Sequence, residues 1–111
     1  MRIKNFAEKY KLKILTDQLD DRDFNGVYIS DLLSYAIANV QKDNLWITIQ
    51  DNINIVAIAS LKECPVILIA ENNQVSESVI TKAVDEDIML VQTEKKIYEL
   101  CEYLILESSG Q

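Results

Sequence analysis

The chain has 111 residues, eleven basic and eighteen acidic, for a net charge of −7. Hydrophobic residues at 49% and charged residues at 26% describe a single ordinary globular domain over 1–111. The acidic field repels phosphate backbones, which argues against a nucleic-acid partner, and no apolar run reaches the roughly 18 residues of a membrane span.

Ile3, Phe6, Ala7 and Tyr10 recur at helical spacing and predict a short first helix. Lys13 to Thr16 reads as a strand. Residues 17–25 hold Asp17, Asp20, Asp21 and Asp23 without periodicity and read as a solvated acidic loop, since a calcium loop needs a glycine and a terminal glutamate missing here. Gly26 supplies a turn before a strand from Val27 to Ile29. Ser30 or Asp31 then caps a helix with the stripe Leu33, Ala36, Ile37 and Val40.

A turn at 42–44 leads to a strand from Leu45 to Gln50, and Asp51 or Asn52 caps a helix running to about Lys62. Pro65 opens a strand, Val66 to Ala70, apolar on both faces and so buried on both. Asn72, Asn73 and Gln74 form a loop. Ser76 caps a helix with Val79, Ile80, Ala83 and Val84 inward and Val75 as a hydrophobic staple. Ile88 to Val91 is a short strand. Thr93 caps a last helix with Ile97, Leu100, Cys101 and Leu104 on one face, and the tail frays from Glu107.

Strands alternating with helices predict a three-layer α/β/α sandwich with a mainly parallel sheet of about four or five strands. One helix carries more apolar surface than one face of a sheet can cover. Ile53, Ile55, Val56, Ala57, Ile58, Ala59 and Leu61 surround it nearly completely. A second copy of the chain, in a homodimer, is the simplest cover, and the terminal helices are the other.

There is no histidine, and Cys64 and Cys101 are far apart. That removes the commonest general base and metal ligand, and it predicts two buried thiols in a cytoplasmic protein. With two glycines there is no phosphate-cradling glycine loop and no nucleophile elbow. No resident cofactor or metal is expected. The polar residues at the two strand-to-helix joints are the candidate ligand site: Tyr28, Ser30, Asp31 and Ser34 at the first, Thr48, Gln50, Asn52 and Asn54 at the second. Their hydroxyls and amides suit a nucleotide or phosphorylated small molecule, and adjacent helix N-termini offer free amides. Capping alone would select the same residue types. Trp46 is a base-stacking candidate or a core residue.

The same joints resemble the DRTGG domain family, over about residues 2–105. The family reads like Asp-Arg-x-x-x-Gly-Gly-Tyr-Val-Gly-Asp-Leu-Leu-Ser, and this chain has Asp21-Arg22-Asp23-Phe24-Asn25-Gly26-Val27-Tyr28-Ile29-Ser30-Asp31-Leu32-Leu33-Ser34. A second block, Trp46-Ile47-Thr48-Ile49-Gln50 followed by Asn54-Ile55-Val56-Ala57-Ile58-Ala59-Ser60-Leu61, is also similar to the family's. Val27 and Ser30 stand where the family has glycines, and Asn52 where it often has histidine. A side chain at Ser30 narrows the backbone approach a ligand would use.

The resemblance implies a fold like the N-terminal domain of HPr kinase/phosphorylase. It also implies a non-catalytic, often regulatory module, found alone, with CBS domains in regulated pyrophosphatases, or ahead of phosphotransacetylase domains. Stand-alone copies are similar to small proteins encoded near iron-only hydrogenase and electron-transfer genes. The expectation is therefore a homodimeric regulatory module binding a small ligand at the joints. The alternative is a scaffold for a redox-enzyme partner, docking through helix 53–61. An enzyme using Asp31 as base and Ser30 or Ser34 as nucleophile lacks a second acid or base nearby, so no enzymatic activity is expected.

Overall fold

From residue 27 onward, strand and helix alternate among the described residues. The computed structural model describes residues 1–71 and 74–108, which form α1 (Ile3–Tyr10), β1 (Lys13–Ile14), β2 (Val27–Ile29), α2 (Leu33–Asn39), β3 (Leu45–Thr48), α3 (Asn54–Leu61), β4 (Val66–Ile69), α4 (Glu77–Asp85), β5 (Met89–Gln92) and α5 (Ile97–Ser108). The sheet order is β1-β5-β4-β3-β2. β2 to β5 are parallel neighbours in sequence order; β1 lies antiparallel on β5, with Lys13 opposite Gln92. The architecture is a three-layer α/β/α sandwich.

The layering follows from that order. Each crossover between neighbouring parallel strands turns right-handed, so α2, α3 and α4 all fall on one face. Trp46, Ile67, Ile69 and Leu90 point there and pack with Ala36, Val40, Ile55, Val56, Val79 and Ala83. The alternate residues Leu45, Ile47, Val66, Leu68, Met89 and Val91 point to the opposite face, under Ile3 and Phe6 of α1 and Leu100 and Leu104 of α5. β3, β4 and β5 are buried along their whole length. Each fully buried Leu or Ile there contributes about 1.5–3 kcal/mol.

Neighbours on both sides settle the fate of the over-apolar helix. Ile55, Val56, Ile58 and Ala59 of α3 are buried within its own face of the domain, and the surplus is a narrow exposed stripe of Ile53, Ala57 and Leu61. Ala36 of α2 and Val40 just past it are buried, whereas Ile37, expected inward, is 46% exposed.

Several boundaries differ from expectation because side chains intervene. The first strand stops at Ile14; Leu15 N–H still donates to the Leu90 carbonyl, but the Thr16 hydroxyl then accepts the Leu90 N–H in place of a ladder bond. β3 stops at Thr48, whose Oγ1 accepts the Gln50 N–H and turns the chain. α2 starts at Leu33 without a side-chain cap, so neither Ser30 nor Asp31 caps it. Ser76 occupies the N-cap of α4, but its hydroxyl pairs with Ser78 instead of a backbone amide. The Thr93 hydroxyl accepts the Lys95 N–H ahead of α5, and Glu99 accepts the Lys96 N–H at the helix start.

The acidic segment is a strap, not a free loop. The Asp21 carboxylate accepts the Lys4 N–H in the first turn of α1, and Arg22 pairs with Asp87 beyond α4. The end of α5 is also held. Glu107, expected to fray, accepts from Lys9 Nζ and the Tyr10 hydroxyl, both at 2.7 Å, and Tyr103 stacks on Tyr10 at 4.1 Å. These two bonds hold the Glu107 carboxyl below the usual glutamate range. Of the expected 72–74 loop, residues 72 and 73 lie outside the described residues, as does the end of the tail at 109–111.

Left-handed backbone marks the turns. Lys11, Glu63 and Asp87, just past α1, α3 and α4, have φ of 59°, 56° and 60°. At Gly26 φ is +82°, and a Cβ would meet Asn44 Nδ2 at 2.8 Å. That Asn44 amide donates to the Asn25 carbonyl while its oxygen accepts the Gln41 N–H, so it has no room to give. Gly26→Ala is therefore expected to destabilise the protein by about 1–2 kcal/mol, read as a lower urea midpoint with unchanged slope.

The two thiols differ. Cys101 is half-buried, whereas Cys64 is fully buried and its thiol is pushed up to about 12 by burial. At pH 8, Cys64 is expected to stay unlabelled by a disulfide reagent in the folded protein and to react at once in denaturant.

Candidate functional site

β2 and β3 end side by side, and the segments after them carry the predicted polar residues. The Ser30 N–H donates to the Ile47 carbonyl at 3.2 Å, continuing the ladder past β2. Trp46 is fully buried and donates its indole N–H to the Ser30 carbonyl at 3.0 Å, so it is a core residue that also fixes the joint.

Asp31 then turns toward β3. Its Oδ1 accepts the hydroxyl of buried Thr48 at 3.0 Å and the Ile49 N–H at 2.7 Å, and Gln50 Nε2 donates back to the Asp31 carbonyl at 3.0 Å. Asn52 Nδ2 donates to Gln50 Oε1, and Asn52 Oδ1 accepts the Asn54 N–H at the start of α3. The Ser30 hydroxyl accepts the Leu32 N–H.

The structure thus joins Asp31, Thr48, Gln50 and Asn52 in one hydrogen-bonded strip, with Asn54 attached through its backbone, while Ser30 beside it bonds Leu32, Ile47 and Trp46. Tyr28 lies elsewhere, half-buried against the α2 and α3 core, and Ser34 is exposed on α2 outside the strip. The strip is chiefly a lock between two loops. The Asp31 carboxylate bonds Thr48 and Ile49, not a serine hydroxyl, so the serine and aspartate are not arranged as nucleophile and base.

A ligand crevice forms in a parallel sheet where successive helices depart to opposite faces. α2 and α3 leave to the same face. The departure changes only after β5, whose helix α5 returns over the other face. There, at the carboxyl edge of β5, lies a crevice of about 700 Å³. Lys13 of β1 and Gln92 of β5 stand on one side, with Asp51 of the second joint, Gln74, Ser76 and Glu77 around it. Leu15, Val75 and Ile80 supply its apolar wall, Val75 and Ile80 being the staple pair of α4. Reading the sequence missed Lys13, Gln92, Gln74 and Glu77, because the pairing of β1 with β5 that brings them together leaves no local signal.

Among the described residues, every buried side-chain nitrogen and oxygen has a partner, and no group of three or more Cys, Asp or Glu side chains is placed to hold a metal ion. No described helix is long and apolar enough to cross a membrane.

No family model matches the sequence, and no curated protein matches it. Among solved structures the chain is similar to the CBS and DRTGG domains of the regulatory region of a Clostridium perfringens pyrophosphatase, complexed with its activator diadenosine tetraphosphate. The TM-score is 0.72 at 10% identity, over 92% of this chain and 45% of that one. The chain shares its fold with part of that regulatory region. It spans less than half the length of the matched chain, and at this identity the likeness concerns fold alone.

The strip makes a sharp prediction. Asp31→Ala leaves Thr48 and the Ile49 amide without their acceptor and is expected to cost about 1.5–3 kcal/mol by urea denaturation, whereas Asp31→Asn, which keeps an acceptor oxygen, costs less.

Proposed function

We propose that the chain is a non-catalytic regulatory module of the DRTGG type, cytoplasmic and homodimeric, that takes a small polar ligand at the carboxyl edge of its sheet. The observation that carries this reading is the crevice at the one change of helix direction, flanked by the locked second joint through Asp51. Support also comes from the fold shared with a region solved with a dinucleotide activator.

The lining suggests the ligand's character. Lys13 offers one cation, Asp51 and Glu77 two carboxylates, and Gln74 and Gln92 two amides, beside the wall of Leu15, Val75 and Ile80. Carboxylates and amides bind the hydroxyls of a sugar or the amines of a base, and the apolar wall suits a ring face. A single anionic group fits at Lys13; a long bare polyphosphate is disfavoured by the two acids. The predicted residues Ser30, Asp31, Thr48, Gln50, Asn52 and Asn54 would then act by holding the crevice wall, with Tyr28 and Ser34 outside it.

The exposed stripe of Ile53 and Leu61, at 45% and 72%, favours a second reading, a scaffold that docks a redox-enzyme partner through α3.

Thermal shift against nucleosides, nucleotides and phosphorylated sugars separates the two. A ligand at a hundred times its Kd stabilises by about 2.7 kcal/mol, a rise of several degrees for a domain of this size. The rise is expected for at least one nucleotide class and is expected to vanish in Lys13→Ala. An unmoved melting temperature across the panel at millimolar concentration overturns the ligand reading and leaves the scaffold.

A further inference from the structure

The crevice at the edge of β5 exists because β1 lies beyond the layer of α2, α3 and α4. β1 joins β5 at its far side, and the segment leading from β1 to β2 carries no helix among the described residues to cover it. Side chains alternate along a strand, so Leu15 shares a face with Lys13, and Leu15 packs with the α2 to α4 core. Gln92 stands opposite Lys13 in the antiparallel pair and shares that face too. Gln92 is 8% exposed. Two adjacent strands thus fix an ammonium and a buried amide side by side.

The charges around the crevice do not balance. Lys13 supplies one cation, whereas Asp51 of the second joint and Glu77 in the first turn of α4 supply two carboxylates. Lys9, Lys82 and Lys95 are engaged with Glu107, Glu86 and the Tyr10 carbonyl, but Lys13 has no ion pair or side-chain hydrogen bond with a described residue. Leu15, Val75 and Ile80 form a wall packed from behind by the core. A volume of about 700 Å³ is that of an ordinary small-ligand site. Lys13 neutralises one negative charge there. A second would meet Asp51 and Glu77 without a cation, and at the effective dielectric of a partly exposed site that repulsion lowers affinity by roughly tenfold or more.

We propose that the crevice selects a ligand with a single negative charge beside a ring and hydrogen-bond donors, the pattern of a nucleoside phosphodiester such as a 3′,5′-cyclic nucleotide. The proposal rests on the ligand reading above and narrows it. A phosphodiester keeps one charge near neutral pH, whereas a terminal phosphate carries about 1.5 to 2. A phosphodiester oxygen accepts from Lys13 Nζ, and the ring face lies on Leu15, Val75 and Ile80. The amine of the base and the free ribose hydroxyl donate to Asp51 and Glu77. These two acids are the specificity-determining residues, because the carboxylates that accept from the ligand's donors also turn away a second negative charge.

Isothermal titration of the full chain at pH 8 tests this with the 3′,5′-cyclic and 5′-monophosphate forms of adenosine and guanosine and with the free nucleosides. For at least one base the cyclic form is expected to bind about tenfold more tightly than either the 5′-monophosphate or the nucleoside. Lys13→Ala is expected to reduce it to the nucleoside's level. Glu77→Gln is expected to narrow the discrimination by raising the affinity of the 5′-monophosphate about fivefold. Should Glu77→Gln fail to fold by circular dichroism, Asp51→Asn takes its place with the same expectation. A 5′-monophosphate that binds as tightly as the cyclic form and loses its affinity in Lys13→Ala overturns this inference while leaving the crevice reading standing. Discrimination unchanged in the carboxylate variant overturns it as well. Silence from every compound in this set also overturns it, and the crevice reading falls with it only if the wider panel of phosphorylated sugars and other nucleotides leaves the melting temperature unmoved.

Discussion

The right-handed crossover between neighbouring parallel strands governs the rest of the molecule. Because β2, β3, β4 and β5 follow one another across the sheet in chain order, the rule sends α2, α3 and α4 to a single face. α5, which follows β5, lies over the other face beside α1. The neighbouring joints, the crevice at the β5 edge and the thin second layer all descend from that order. A strand inserted out of sequence would have moved the change of helix direction, and the crevice with it.

Much of the fold was legible because central strands and amphipathic helices announce themselves locally. Val66 to Ile69 is apolar without interruption and is buried on both faces; Ile3, Phe6 and Ala7 recur at helical spacing and all reach the core. The inaccuracies are tertiary in origin. Asp21 reads as one more solvated acid until α1 is placed beside it and its carboxylate is found on the Lys4 amide. Glu107 reads as a fraying tail until Lys9 and Tyr10 are brought within 2.7 Å. No window of sequence around either residue contains its partner.

The candidate site divides in the same way. That Ser30, Asp31, Thr48, Gln50 and Asn52 gather at neighbouring joints follows from their positions at strand ends. That Asp31, Thr48, Gln50 and Asn52 bond one another, and that a crevice lies near Gln92, depends on which strands are adjacent and which way each helix leaves. Asp31 illustrates the difference. A capping role is local and would have fixed one helix; its bonds to Thr48 and Ile49 fix two loops to each other. A side chain chosen for a helix start has become a cross-link of the sheet's upper edge.

The left-handed residues that close α1, α3 and α4 extend this theme. Lys11, Glu63 and Asp87 have none of glycine's tolerance for that conformation, which costs an ordinary residue about 1–2 kcal/mol. Nothing in such residues tells an isolated helix to stop. The halt is imposed by the next residue in each case. Leu12 N–H returns to Ala7, Cys64 to Ala59 and Ile88 to Ala83, each drawing a buried side chain under the helix it has just left. The ends of α1, α3 and α4 are therefore local turns whose apolar last residue is anchored in the core, so these helices gain and lose their ends together with it.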